Sequence, residues 1–173
     1  MENKMSLGKY AFYYGITTGF ILALISLLAY VPGLGSVIWI VRIIALVMLT
    51  MYFVRRYRDQ FNGGILTSGE GFKLTFLLFV YIGIIAALYS GFQVQIAASK
   101  DSQEMFELLR ETYDNAGMDI SDSMIRSVIG VVPYVTAIFY MIGHLIVGAI
   151  FGAIYSSSLK REPQPPAENN GTL

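Results

Sequence analysis

The sequence contains no cysteine, a single histidine and no recognisable catalytic motif. The lack of cysteine excludes disulfides, thiolate metal sites and cysteine nucleophiles. One histidine is too few for a typical zinc site, and no HExxH, GxSxG or paired-aspartate motif occurs. We therefore expect a protein that is not an enzyme and that carries neither a metal nor another cofactor.

Charge is scarce as well. Charged residues make up 14% of the chain, whereas a soluble domain usually carries about 25%. The formal net charge is zero, so no overall positive field favours nucleic acid as a partner. The lipid bilayer is the expected surrounding of such a chain.

Hydrophobic residues are abundant, at 55% with a mean hydropathy of +0.58, and they lie in long uncharged blocks. At 1.5 Å per residue, such blocks are long enough to cross a hydrocarbon core of about 30 Å. The first block exceeds the apolar core of about 7–15 residues found in signal peptides, so we expect it to be retained. The predicted spans are residues 10–31, 37–54, 74–98 and 133–157.

These blocks predict an all-α integral membrane four-helix bundle with a small extracytoplasmic helical insertion. Pro133 is expected to mark the start of the fourth span, because proline is tolerated in the first turn of a helix. Residues 1–159 would form one membrane domain. The polar, proline-rich residues 160–173 are typical of a disordered tail, here a cytoplasmic one.

The distribution of basic residues predicts the orientation, because cytoplasmic segments carry an excess of lysine and arginine. If both termini are cytoplasmic, eight basic residues lie inside and only Lys100, Arg110 and Arg126 lie outside. The inner residues are Lys4, Lys9, Arg55, Arg56, Arg58, Lys73, Lys160 and Arg161. We therefore predict a multi-pass protein with both termini in the cytoplasm.

The acidic segment 100–129 then lies outside, and its apolar residues recur at spacings of three and four, which indicates an amphipathic helix. Asp101 or Ser102 would cap this helix and Gly117 would end it. Ser121 would cap a second short helix towards Ile129. A hairpin lying at the membrane surface is the favoured interpretation, and a lid or a docking surface is the alternative.

Small residues recur four apart in three of the spans. Such motifs let two helix backbones approach closely, so that packing contacts hold them together. With four spans in one chain, packing within the bundle is favoured over a homodimer face. The residues concerned are Gly15, Gly19, Gly83, Ala87, Gly91, Gly148 and Gly152.

Two ionisable residues lie inside predicted spans, where such groups are functional candidates. Arg42 lies about five residues, or roughly 7–8 Å, inside the second span, so it can extend outward or pair with an outer acidic residue. His144 lies near the middle of the fourth span, where a structural hydrogen bond is favoured over a proton-relay or substrate-binding role. Structural roles are the favoured interpretation for both.

The connector 55–73 between the second and third spans carries Arg55, Arg56, Arg58 and Glu70. The arginines are interpreted first as positive-inside anchors, with Arg58 paired to Asp59 or Glu70, and second as a docking site for a partner or anionic lipid. A phosphate-binding loop is excluded, because Glu70-Gly71 stands where Lys-Ser/Thr is required.

The same connector carries a family resemblance. Its RRYRD, FNGGI and SGEGFK segments, together with the order of the spans and the acidic helical segment, resemble a bacterial membrane-protein family of unknown function. This is domain-of-unknown-function family 4199, found mainly in the Bacteroidota, and the resemblance covers roughly residues 8–158. It implies a location in the bacterial cytoplasmic membrane and supplies no catalytic residues.

Two functions remain open. The favoured one is a non-enzymatic accessory or scaffold protein that meets another membrane protein, and the alternative is a small oligomeric transporter or channel subunit. The positions of Arg42, His144 and Glu70 would separate them. Convergence of all three on one water-accessible cavity favours transport, and separate surfaces disfavour it.

Overall fold

The computed structural model describes residues 5–100 and 102–160, and within these ranges the chain forms helices and turns with no β-strand. Four of the helices are long and apolar enough to cross a membrane, which confirms the all-α, multi-pass architecture. These are the first, second, third and fifth helices along the chain. The helices are α1 (Leu7–Leu27, extended by the 3₁₀ turn Leu28–Tyr30), α2 (Gly35–Arg56, extended by the π-helical turn Tyr57–Phe61), α3 (Ser68–Lys100), α4 (Ser102–Asn115) and α5 (Asp122–Ser158).

Helix α3 forms the centre of the bundle and packs against both α1 and α5. Its contact with α1 is close because glycines face it. A Cβ atom added at Gly15 would lie 2.7 Å from the Cβ of Tyr81, and one at Gly19 would lie 2.8 Å from the Cβ of Ile85. Since real Cβ atoms do not approach so closely, α1 and α3 can pack at this distance only with glycine at both positions.

The contact between α3 and α5 depends on glycines from both helices. A Cβ added at Gly148 would lie 2.5 Å from the Cβ of Phe79, and one at Gly83 would lie 2.9 Å from the Cβ of His144. Gly152 and Gly91 lie against Phe72 and Pro133 in the same interface, and Ala87 of α3 is half-buried. The small residues singled out in the sequence therefore lie within α1, α3 and α5, and the glycines contact helices of their own chain.

Helix α2 is attached to the bundle mainly through its C-terminal half. The hydroxyl of Tyr10 donates to the carbonyl of Phe53 at 2.9 Å, and the hydroxyl of Tyr155 donates to the carbonyl of Val47 at 3.2 Å. The Tyr155 hydroxyl also lies 3.4 Å from the hydroxyl of Thr50. Towards its N-terminus α2 is largely exposed, and Trp39 has 64% of its surface accessible.

Around these hydrogen bonds lies an aromatic cluster, formed by Tyr10, Tyr14, Phe53, Tyr57 and Phe61. The Tyr10 ring lies 4.3 Å from Tyr14, 5.0 Å from Tyr57 and 5.2 Å from Phe61, measured between ring centroids. Such contacts contribute about 0.5–1.5 kcal/mol each beyond the area that they bury. The aromatic cluster therefore closes the bundle at the end that carries the arginine-rich connector.

Pro133 does not begin a helix, so the reason for starting the fourth span there is wrong, as is the prediction of a separate short helix ending near Ile129. A single helix runs through both positions, from Asp122 to Ser158, with Pro133 buried inside it. Proline removes only one backbone hydrogen bond, and a helix surrounded by apolar residues keeps the remaining bonds because unpaired backbone groups are costly there.

Helix α4 folds back on the first turns of α5. The guanidinium of Arg126 lies 5.0 Å above the ring of Phe106, and Arg110 pairs with Asp122 at 3.0 Å. As predicted, Gly117 ends α4: it has a φ of +70°, and the amide of the next residue, Met118, donates to the carbonyl of Tyr113.

Some predictions fall outside the described residues. The proposed capping residue Asp101 is one of these, and so is the tail after Lys160. Ser121 does precede the first residue of α5, but its hydroxyl contacts that of Ser123 at 3.0 Å and caps no backbone amide.

Candidate functional site: the Arg42 cavity

Arg42 and His144, from two different helices, line the same cavity. This space of about 490 Å³ lies between α2 and α5, and the side of α1 closes it at Leu22. Its volume is in the range of small-molecule sites. We call it the Arg42 cavity. Its lining residues are Leu22, Trp39, Arg42, Ile43, Leu46, Phe139, Tyr140, Gly143, His144 and Val147.

A second cavity of about 250 Å³ adjoins the first and shares Trp39, Arg42 and Tyr140 with it. It extends past Gly35 to the turn between α1 and α2. Its walls are more polar and include Ser26, Tyr30, Tyr89, Ser90 and Gln93. Arg42 thus lies where an apolar space meets a polar one that leads towards the end of the bundle.

The guanidinium of Arg42 is half-buried and has no hydrogen bond or ion pair with any residue that the structure describes. Arg42 lies seven residues after Gly35, so it is about 10 Å along α2 from the start of the helix. An arginine at the centre of a span costs about 2.5–3.5 kcal/mol on insertion, and the cost at the shallower position of Arg42 is lower. The polar lining of the second cavity reduces this cost, and a bound anion would reduce it further.

His144 is held in a defined orientation. Its Nδ1 lies 2.8 Å from the carbonyl oxygen of Tyr140, and since a carbonyl only accepts, Nδ1 carries the proton. In the neutral imidazole, Nε2 is then the acceptor. Gly83 fixes the position of the ring, because only glycine leaves room for the His144 Cβ beside α3. His144 therefore offers an acceptor beside the Arg42 donors.

The sequence prediction missed two aromatic residues of this site. Trp39 lies three positions before Arg42, and Tyr140 lies four positions before His144, so each shares a helix face with its polar neighbour. These spacings are visible in the sequence. Which faces of α2 and α5 meet is not visible, because the hydrophobic residues surround both helices.

Glu70 is not part of this site. Its carboxylate accepts from the backbone amide of Thr67 at 3.1 Å and from the hydroxyl of Thr67 at 2.9 Å, while the Glu70 amide donates to that hydroxyl. This is a capping box at the start of α3, and the Thr-x-x-Glu pattern was present in the sequence. Glu70 therefore satisfies the first backbone groups of α3, at the opposite end of the bundle from the α1–α2 turn.

The three arginines of the connector are also apart from the Arg42 cavity. Arg58 pairs with Asp59 at 2.7 Å and donates to the carbonyl of Leu159 at 3.3 Å. Arg56 donates to Gln60 at 2.9 Å and lies over the Tyr14 ring, while Arg55 is exposed. Arg58 thus makes the first of the two pairings considered from the sequence, and Arg56 lies against the aromatic cluster.

Chemically, the Arg42 cavity combines one positive charge with an acceptor nitrogen and a largely apolar wall. Of the residues that line the two cavities in the described part of the chain, Arg42 carries the formal charge. Within residues 5–100 and 102–160, no three His, Asp or Glu side chains lie close enough to hold a metal ion. This arrangement is suited to holding an anion.

Comparison with known proteins gives one relationship. Neither a curated protein nor a solved structure matches the chain. One family does, under the description "Protein of unknown function (DUF4199)", and the match extends from residue 13 to residue 161. It covers α1 from its second turn onward, α2 to α5 and the connector that carried the resemblance. The chain therefore belongs to the DUF4199 family of proteins of unknown function.

Proposed function

We propose that this protein is a non-enzymatic membrane protein that binds an anionic molecule at Arg42 and uses this binding for transport. The supporting observation is that Arg42 and His144 line one cavity while the guanidinium has no partner among the described residues. A guanidinium binds a carboxylate or phosphate through two parallel, charge-assisted hydrogen bonds. An anion is therefore the ligand that this site would stabilise best.

The asymmetry of the bundle supports transport. One end has a polar cavity that reaches the α1–α2 turn, and none of the residues lining either cavity belongs to the aromatic cluster at the other end. Carriers expose their central site to one side of the membrane at a time. Four spans are few for a carrier, so a homo-oligomer is part of this proposal. The position of Glu70 counts against one continuous polar path.

The proposed location is the cytoplasmic (inner) membrane of a bacterium of the Bacteroidota, with both termini in the cytoplasm. Eight basic residues against three support this orientation. The polar second cavity would then face outward, and α4 would form an extracytoplasmic insertion together with the start of α5. With 37 residues, α5 is about 55 Å long and exceeds the hydrocarbon core, which supports an extension beyond it.

A second candidate function is that of an accessory or scaffold protein for another membrane protein. The observation that favours it is the exposed surface of α4, which places the acidic residues Glu104, Glu107 and Glu111 beside Leu108, 63% of whose surface is accessible. An exposed surface of this kind suits a partner with basic residues around an apolar patch.

The anion-binding proposal can be tested by fluorescence, because Trp39 is the only tryptophan and lines both cavities. Purified protein in mild detergent would be titrated with inorganic phosphate, benzoate and dodecyl phosphate. We expect at least one probe to change Trp39 emission, and Arg42→Gln to weaken that binding about tenfold, the loss of a charge-assisted hydrogen bond. Arg55→Gln is the matched control, since Arg55 is exposed at the opposite end. No Arg42-dependent response to any probe would refute the proposal.

Crosslinking separates transport from the accessory function. The protein would be purified under gentle crosslinking, and the species that co-purify would be identified by mass spectrometry. A homo-oligomer without another subunit supports transport and directs the work to flux measurements in liposomes with Arg42→Ala and His144→Ala. A stoichiometric membrane-protein partner supports the accessory function instead.

A further inference from the structure

The Arg42 cavity opens sideways, between α2 and α5, and not only towards the end of the bundle. Two of its lining residues, Trp39 on α2 and Phe139 on α5, have 64% and 69% of their surfaces accessible. In a membrane-spanning bundle, surfaces exposed at this depth face lipid. The space is therefore a crevice that communicates with the bilayer.

The walls of this crevice change in polarity along the membrane normal. Beyond Arg42, away from the α1–α2 turn, α2 contributes Ile43 and Leu46, and α5 contributes Val147. Towards the turn, the second cavity offers Tyr89 and Gln93, whose side chains bond to each other. A polar zone, a cation and an apolar groove thus follow one another in the order in which a lipid presents its headgroup, its phosphate and its acyl chains.

The charges at the end of the bundle that carries the α1–α2 turn favour a ligand that comes from the membrane over one that comes from water. The described acidic residues of α4 and the α4–α5 connection outnumber the basic ones and are exposed, namely Glu104, Glu107, Glu111, Asp114 and Asp119 against Arg110. A dissolved anion would approach against this negative field. A lipid entering laterally between α2 and α5 would not cross it.

From these observations we infer that the crevice between α2 and α5 is a binding site for an anionic lipid, whose phosphate contacts Arg42 and whose acyl chain lies against Ile43, Leu46 and Val147. This rests on the proposed function, of which it specifies the ligand class. In the neutral imidazole, the Nε2 of His144 would accept a hydrogen bond from a headgroup hydroxyl. Lateral entry is possible because the N-terminal half of α2 is largely exposed, with Ile38 as its buried residue.

The test uses lipids with brominated acyl chains, which quench tryptophan fluorescence on contact. The full chain would be reconstituted into phosphatidylcholine vesicles that contain increasing fractions of dibrominated phosphatidylglycerol or, separately, dibrominated phosphatidylcholine. We expect the anionic lipid to quench Trp39 at about a fivefold lower fraction than the zwitterionic one, the effect of one basic side chain at an anionic lipid surface. Arg42→Gln should make the two lipids equal, whereas Arg42→Lys and Arg55→Gln should keep the preference.

The outcomes distinguish this inference from the proposed function. Equal quenching by both lipids in the unmodified protein overturns lipid binding. If soluble benzoate or phosphate then still alters Trp39 emission through Arg42, anion binding stands and the ligand is water-soluble. A preference for phosphatidylglycerol that survives Arg42→Gln, in protein whose helix content is unchanged, also overturns the inference, because the lipid then binds elsewhere.

Discussion

Gly148 sets the distance between α3 and α5, because an added Cβ would lie 2.5 Å from that of Phe79. We expect Gly148→Ala to lower the free energy of unfolding by about 1–3 kcal/mol, the usual cost of overpacking. Gly130→Ala is the control, since nothing lies within 4 Å of its added Cβ. It should leave stability unchanged or raise it by up to about 1 kcal/mol. Unfolding in mixed micelles of mild detergent and dodecyl sulfate measures both, and equal effects would contradict the prediction.

A second prediction concerns Glu70, whose carboxylate caps the start of α3. Glu70→Ala should lower the free energy of unfolding by about 1 kcal/mol, while Glu70→Gln should lower it less, since glutamine also serves in a capping box. The same unfolding measurement applies. Glu111→Ala, on the exposed side of α4, should stay within about 0.5 kcal/mol of the unmodified protein. If Glu70→Gln is as damaging as Glu70→Ala, the negative charge matters and not the hydrogen bonds.

At the scale of single residues, the sequence was enough to select candidate residues, but it did not show which side chains surround them. Arg42 and His144 stand out because ionisable groups are rare in apolar blocks, and they line one cavity. Glu70 stood out equally, yet it has a capping role that the Thr-x-x-Glu spacing indicates. Trp39 could not be assigned, because its contact with the cavity depends on the rotation of α2, which an almost uniformly apolar helix does not reveal.

Among the helices, α2 is attached to the bundle least evenly, because its C-terminal half is held and its N-terminal half is largely exposed. Tyr155→Phe removes the hydroxyl that bonds to the Val47 carbonyl, so we expect a loss of about 1 kcal/mol. We also expect faster hydrogen exchange of the amides in residues 47–56. Tyr13→Phe is the control, because the Tyr13 side chain is exposed and its hydroxyl bonds to no described residue. Exchange that increases only outside 47–56 would show that Tyr155 does not hold this half of α2.

The helices could be predicted where apolar composition determines them, and the prediction failed where packing against other helices determines the structure. The four spans follow from uninterrupted apolar blocks, which form α1, α2, α3 and α5. Pro133 was misleading because its position is compatible with both the start and the interior of a helix. The residues before it are apolar enough to continue α5, and α4 packs on them.

For the whole molecule, orientation in the membrane is the property to test first. Because the sequence has no cysteine, an introduced cysteine would be the one thiol in the chain that can react. Ser36→Cys, in the first turn of α2, should react with a membrane-impermeant maleimide in intact bacteria. Ser68→Cys, at the start of α3, should react only after the cells are permeabilised. Both serines are exposed, so the difference reports the side of the membrane. The opposite pattern would place the polar second cavity on the cytoplasmic side.

The uneven attachment of α2 gives it the geometry of a lever. Its fulcrum is the pair of tyrosine hydroxyls bonded to Val47 and Phe53, and its free arm extends about 18 Å from Val47 back to Gly35. A tilt of about 5° about the fulcrum moves Trp39, roughly 12 Å along the helix from Val47, by about 1 Å and widens the space beside it. A ligand that occupies the crevice would therefore tilt α2 and move the α1–α2 turn. Binding within the bilayer would then be felt as a movement at the aqueous surface.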